Sequence, residues 1–282
     1  MPHEAIALIA EGLTEGRLAP FLGPEVLTIG APASVPTSTR ALVERLTAKV
    51  AVPGRIRNNL WSAAQYIESN RHRQTLARLM EEIFAPEQDI NLLHQTLAML
   101  RLPLIVDSWY DSTMAQALTA SGQDWGQVQA VTRNGEYEDI WYRYYDSEGR
   151  RSTEAEATGW QTLLYKPHGG MKPEGNFLLS DSDYVEVLTE IDIQTPIPAP
   201  VKDRRASLGF VFLGCRFHDQ MERTFARQVL KRSAGPHYAV LPGEMTRNEA
   251  RFLDEQGIQR LDLPLAGAAL LIARDVAGAQ LA

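Results

Sequence analysis

Cysteine is nearly absent, with one residue, Cys215, in a chain of 282. No disulfide can form within the chain and no cysteine-based zinc site can be built, so a reducing cytoplasm is the expected setting. Long apolar runs are missing too. The longest, Leu263–Ala273, is broken by Pro264 and Gly267 and is too short to span a bilayer. The opening Met1-Pro-His-Glu-Ala-Ile6 lacks the basic segment and apolar stretch of a signal peptide. Positive charge is scarce and unclustered: the net charge is −7, and no dense Lys/Arg face is present to attract nucleic acid. Repeats, heptads and low-complexity tracts are absent as well.

What is present is the alternation of an α/β protein. Apolar content of 44% is enough for a sizeable core in one domain of this length. Ala5, Ile6, Leu8, Ile9 and Leu13 predict an amphipathic opening helix closed by Gly16, and Leu18–Gly23 a short strand. Pro24–Thr39 reads as a loop, with Thr37, Ser38 or Thr39 capping a helix over Arg40–Val50. Residues 56–101 form a helical block, read as an insertion. Leu102–Val106 is wholly apolar, as a central parallel strand should be.

Further strands are predicted at Gln127–Thr132, Leu163–Lys166, Leu208–Gly214, His237–Leu241 and Ile258–Leu261. Helices are predicted after Asp181, over His218–Arg232 and Met245–Gln256, and over Ala266–Ala273. The turn signals Asn134-Gly135 and Ser147–Gly149 flank the strand-prone Ile140–Tyr145. They predict a tyrosine-rich β-hairpin insertion over 134–159 with an acidic second arm, a cover for the sheet or a surface for a protein partner. The expected architecture is one Rossmann-like domain over 1–282, a parallel sheet with helices on both faces.

The chemistry gathers at strand ends, the ligand-facing positions of open α/β sheets. Leu163-Leu-Tyr-Lys-Pro-His168 delivers an imidazole and is followed by the pair Gly169-Gly170, which lets other groups approach the backbone. A histidine there is either a general base or a satisfied structural residue. Asp111, just before a helix, is a ligand group or a cap.

Four such ends stand in order: Phe21-Leu-Gly23, Ser108-Trp-Tyr-Asp111, Lys166-Pro-His-Gly-Gly170 and Phe212-Leu-Gly-Cys-Arg-Phe217. Their order and spacing resemble the sirtuin-like family, in particular its bacterial branch without a zinc module, which contains NAD-degrading proteins of antiphage defence. Val35–Leu46 and Ser180–Leu188 resemble that family's connecting segments, so the likeness covers about Phe21 to Leu271.

The resemblance implies NAD as cofactor and no metal. It implies His168 as the base acting on the ribose, with Gly23, Asp111, Gly214 and Arg216 on the cofactor-binding positions. It also exposes departures. Only Gly23 of the first glycine loop matches; Pro24 removes a backbone donor and Glu25 sets a carboxylate where pyrophosphate approaches. Trp109 stands where active relatives carry an asparagine used in splitting NAD, and its indole can only donate. Arg216 replaces a small polar residue.

These changes favour a catalytically impaired nucleotide-binding or interaction protein, a pseudoenzyme. An active NAD hydrolase using His168 is the alternative. Protein deacylation is disfavoured, because relatives with that activity carry a four-cysteine module. Self-association is left open.

Overall fold

The computed structural model describes residues 2–132, 140–184 and 197–281. Its eleven described strands are β1 (Leu18–Leu22), β2 (Leu104–Asp107), β3 (Trp125–Ala130), β4 (Tyr142–Asp146), β5 (Arg151–Ser152), β6 (Thr162–Lys166), β7 (Gly169–Gly170), β8 (Asn176–Phe177), β9 (Gly209–Leu213), β10 (His237–Val240) and β11 (Ile258–Leu261). Nine of them form one sheet in the order β11-β10-β9-β1-β2-β6-β3-β4-β5. From β11 to β3 all neighbours run parallel; β4 and β5 extend the edge antiparallel. β7 and β8 pair separately.

Period-two alternation assigns the faces. Leu18 and Leu22 of β1 join Ile105, Leu164 and Val211 beneath the helices Pro2–Thr14, Leu92–Met99, Thr113–Ser121 and Leu265–Leu281. Ala19 and Phe21 point the other way, with Val106, Leu163 and Phe210, against the helices Glu154–Gly159, Ala199–Arg205, Gln220–Leu230 and Arg247–Glu255. The sheet is thus a Rossmann-like parallel sheet covered on both faces. A third apolar layer sits over the strand ends: the helices Thr39–Lys49, Leu60–Arg71 and Arg73–Phe84 pack there with Trp109, Tyr110, Phe177 and Tyr184.

Three expectations shift in detail. The block 56–101 divides: its first two helices build the layer over the strand ends, while Leu92–Met99 lies under the sheet, because Leu93 and Leu97 pack there. In the predicted hairpin, the second arm is a strand only at Arg151–Ser152. The chain then turns helical, because Thr153 and Glu156 close a reciprocal capping box. The Asn134-Gly135 turn lies outside the described residues, as does the chain after Tyr184 up to Ile197. The closing helix continues past Ala273 to Leu281. Among the described residues no helix is long and apolar enough to cross a membrane.

The helix Glu154–Gly159 is anchored at its far end by Trp160, whose ring lies directly over Gly126 of β3. A Cβ on Gly126 would fall 2.3 Å from that ring. Gly126→Ala is therefore expected to lower stability by about 1–3 kcal/mol in urea melts. Gly267→Ala, in a helix with nothing near the added carbon, should match or exceed wild type.

Candidate functional site

The carboxyl ends of β1, β2, β6 and β9 meet around one cavity. Gly23, Trp109, His168 and Arg216 line it, together with Trp61, Tyr110, Cys215, Glu222 and Phe225. Of the site residues expected from the four motifs, Gly214 lies behind the wall against Gly23 and Asp111 lies away from it; the others line the cavity. Asp111 Oδ1 accepts the Thr113 N–H at 2.8 Å at the start of the helix Thr113–Ser121. The capping reading of Asp111 is the one its geometry supports.

The cavity is small, about 40 Å³, room for one or two waters. Its size follows from how the two glycine loops meet. Gly23 N–H donates to Leu213 O at 2.9 Å and Glu25 N–H to Gly214 O at 3.1 Å. A Cβ on Gly23 would lie 2.3 Å from Gly214 O, and one on Gly214 would lie 2.5 Å from the Val26 nitrogen. The stretch after Gly23 is a 3-10 turn over Pro24–Thr28 rather than an open loop, with Pro24 at its first position, where a missing N–H costs nothing.

Trp109 does more than fill space. It is buried, its Nε1 donates to Pro36 O at 2.8 Å, and its ring lies against Phe84 and Tyr110. It thereby ties the end of β2 to the Pro24–Ser38 segment and to the helical layer. Glu25 is half-buried outside the cavity wall. Burial raises its carboxyl, opposed by the charges of Arg216 and His218. Arg216 is committed elsewhere: its Nε meets Glu249 Oε1 at 3.1 Å, and its other nitrogens donate to the carbonyls of Pro242 and Glu244. Glu249 is fully buried. Burial raises its carboxyl, but the N–H groups of Thr246 and Phe217, with the His218 and Arg216 side chains beside it, outweigh that and hold it below the usual range.

His168 is buried at the cavity wall with Phe225 4.3 Å from its ring. Its Nδ1 lies 2.9 Å from the Tyr184 hydroxyl, which itself donates to Leu178 O at 3.0 Å. With that proton spent, the imidazole N–H sits on Nδ1 and donates to Tyr184, leaving Nε2 as the basic nitrogen. Burial, helped by the charge on Lys166, pushes its pKa down to about 3. The ring is neutral at pH 7 and a weak base.

Two groups escaped the sequence reading. Glu222, in the first turn of the helix Gln220–Leu230, lines the same cavity; burial, then Asp219, pushes its carboxyl up to about 8. Its three-residue spacing from Phe225 on a helix was the available signal. Beneath the strand ends, Lys166 Nζ donates to Asp107 Oδ2 at 2.7 Å and to Asp111 O at 2.9 Å, with both charged groups buried. Burial pushes Asp107 up to about 6 against the pull of Lys166. A lysine and an aspartate at the ends of two apolar strands were visible in sequence; that β2 and β6 are neighbours was not. The glycine pair after His168 serves this core. A Cβ on Gly170 would sit 3.1 Å from Lys166 Cε, and one on Gly169 would lie 2.1 Å from Asn176 O. The groups that approach this backbone are the protein's own.

A parallel sheet whose strand ends converge on one cavity beside β1 defines a Rossmann-type α/β domain. More specifically, the SIR2-like domain family matches residues 103–261, more than half of the chain, and the chain belongs to that family. A solved structure described as "Structural Basis for the Mechanism and Regulation of Sir2 Enzymes" aligns with a TM-score of 0.44 at 12% identity, covering 99% of this chain and 100% of that one. No curated protein matches.

Removing one partner of the buried pair leaves an uncompensated charge. Lys166→Met should cost about 3–5 kcal/mol in urea unfolding, and adding Asp107→Leu should recover part of it. His168 gives a pH signature. Its folded pKa of about 3 lies below the ordinary 6.5, so the unfolded chain takes up the proton first. Stability is therefore full above about pH 6.5 and falls on acidification toward pH 3, by about 1.4 kcal/mol per pH unit for such a group. His168→Gln should flatten that fall. An unchanged slope in the variant would contradict the buried neutral imidazole.

Proposed function

We propose that this chain is a SIR2-like protein whose NAD-cleaving chemistry is impaired and which acts through binding, to a nucleotide or to a protein partner. The SIR2-like family suggests an NAD-related function in general. The reading of impairment rests on one observation, the backbone contact between the Gly23 and Gly214 loops, which leaves about 40 Å³ where a dinucleotide needs several hundred. In this arrangement the residues present do not fit the cofactor. The 3-10 turn occupies the phosphate approach, Arg216 is held by Glu249, and Trp109 serves the core in place of a carboxamide. Among the described residues of 134–159, Trp141 and Tyr142 are the half-buried aromatics open to a partner, since Tyr144 and Tyr145 are buried.

A second reading, an active NAD glycohydrolase, draws on the pairing of His168 with Glu222 in one cavity. A neutral imidazole and a carboxyl raised to about 8 in the walls of one cavity could serve as base and acid if a rearranged Gly23–Val35 loop held NAD there.

Incubating the purified chain with NAD and following nicotinamide by chromatography separates the two. The expected result is no release above the spontaneous rate. Release that His168→Ala abolishes would replace the first reading with the second. Within the first reading, a thermal shift with ADP-ribose would assign the binding to a nucleotide, and no shift would assign it to a protein partner.

A further inference from the structure

A second, larger concavity lies away from His168. It is a groove of about 410 Å³ along the outer side of the helix Thr113–Ser121. Ser112, Ala115, Gln116, Thr119 and Ala120 line it at i, i+3, i+4, i+7 and i+8, one stripe about 12 Å long. The side chains on this stripe are mostly small, which is why a groove exists there. The opposite wall is the tight turn Asp146–Gly149 with Lys172 and Pro173, and Trp125 and Gln127 of β3 complete it. All of these are described residues.

The turn is built in advance of any ligand. Asp146 accepts the N–H groups of Glu148 and Arg150, both at 2.9 Å, and pairs with the Arg150 guanidinium. Glu148 also pairs with Arg150, so a single guanidinium serves both carboxylates of the turn.

The groups left over are donors. Trp125 is only 5% exposed, and its Nε1 has no hydrogen-bond partner among the described residues. Ser112 sits at the N-cap position of its helix without capping it, and its buried Oγ is unpartnered as well. A buried indole N–H left without an acceptor is destabilising, and native proteins rarely keep one. Lys172, exposed at the mouth, has its ammonium 4.0 Å from Glu87 Oε1 in a solvent-exposed pair. An indole wall, a run of small side chains and unsatisfied donors together specify a complementary molecule.

We propose that this groove binds a small, planar, largely apolar molecule carrying a carbonyl or carboxylate acceptor, with the acceptor directed to Trp125 Nε1 or Ser112 Oγ. The site is independent of the strand-end cavity and of how that cavity is read.

Ligand-observed fluorine NMR on the full chain, with 4-fluorobenzoate and 4-fluorobenzamide as probes, tests it. Saturable broadening is expected for at least one probe; a preference for the carboxylate assigns a role to Lys172, and equal binding assigns the acceptor to the neutral donors. Trp125→Phe, which keeps a ring and removes the N–H, should weaken binding at least 5-fold. Ala120→Phe should abolish it; position 120 is exposed, so the fold is expected to survive, and Thr119→Phe on the same exposed stripe provides a second block. His168→Ala should leave binding unchanged. The proposal is overturned if neither probe binds saturably at millimolar concentration, if binding persists in both blocked variants, if Trp125→Phe has no effect, or if His168→Ala abolishes binding.

Discussion

The backbone of Gly23 rests on the backbone of Gly214 with no space for a Cβ on either side, and the upper half of the molecule is arranged around that contact. It follows from β1 and β9 being neighbours in full register, from Leu18 opposite Gly209 to Leu22 opposite Leu213. Any residue but glycine at either end would push the loops apart. With the loops together, Pro24–Thr28 winds into a 3-10 turn, and the Trp109 indole fastens Pro36 at the far end of the same segment. The segment is thus held at both ends. The strand ends that make a ligand crevice in open α/β sheets converge here on a small cavity beside that contact.

Under that lid lies a charged layer that a purely apolar sheet would not need. Lys166 and Asp107 are buried together, Lys166 reaches the carbonyl of Asp111, and Asp111 caps the next helix. His94 is buried close enough that Asp111 raises and Lys166 lowers its pKa, which burial first drives to about 4. Buried pairs of this kind seldom add net stability over apolar replacements, but they are costly to break singly. Their effect here is positional: the ammonium two residues before His168 fixes the end of β6 against the end of β2. Its charge also keeps the neighbouring imidazole neutral.

The titratable groups at the strand ends are each tied into the packing. One nitrogen of His168 is spent on Tyr184 and the other borders a cavity for a water or two. Cys215, the single thiol, is buried with its pKa pushed well above the ordinary value, first by burial and then by Glu222, so it is no nucleophile in this form. Glu222 is the one titratable group in the wall with an affinity for protons near neutrality, and its placement depends on the capping box that Asp219 and Glu222 form at the start of their helix.

Much of this was legible beforehand, for identifiable reasons. Alternating apolar strands and amphipathic helices are local patterns, so the sheet and its two helical faces followed from residues such as Leu102–Val106 and Leu208–Gly214. The order of four strand-end motifs carried the family. Chain order alone did not reveal which ends touch. That Gly23 meets Gly214, that Lys166 meets Asp107, and that Glu222 shares a cavity with His168 are relations between residues 54 to 191 positions apart, set by strand neighbourhood and helix crossing. Trp109 shows the difference most plainly. Its identity excluded a carboxamide's chemistry at that position, because an indole only donates. Whether it would block the cofactor space or brace the core was decided by where Pro36 O and the Phe84 ring lie, and only the packed structure brings those to it.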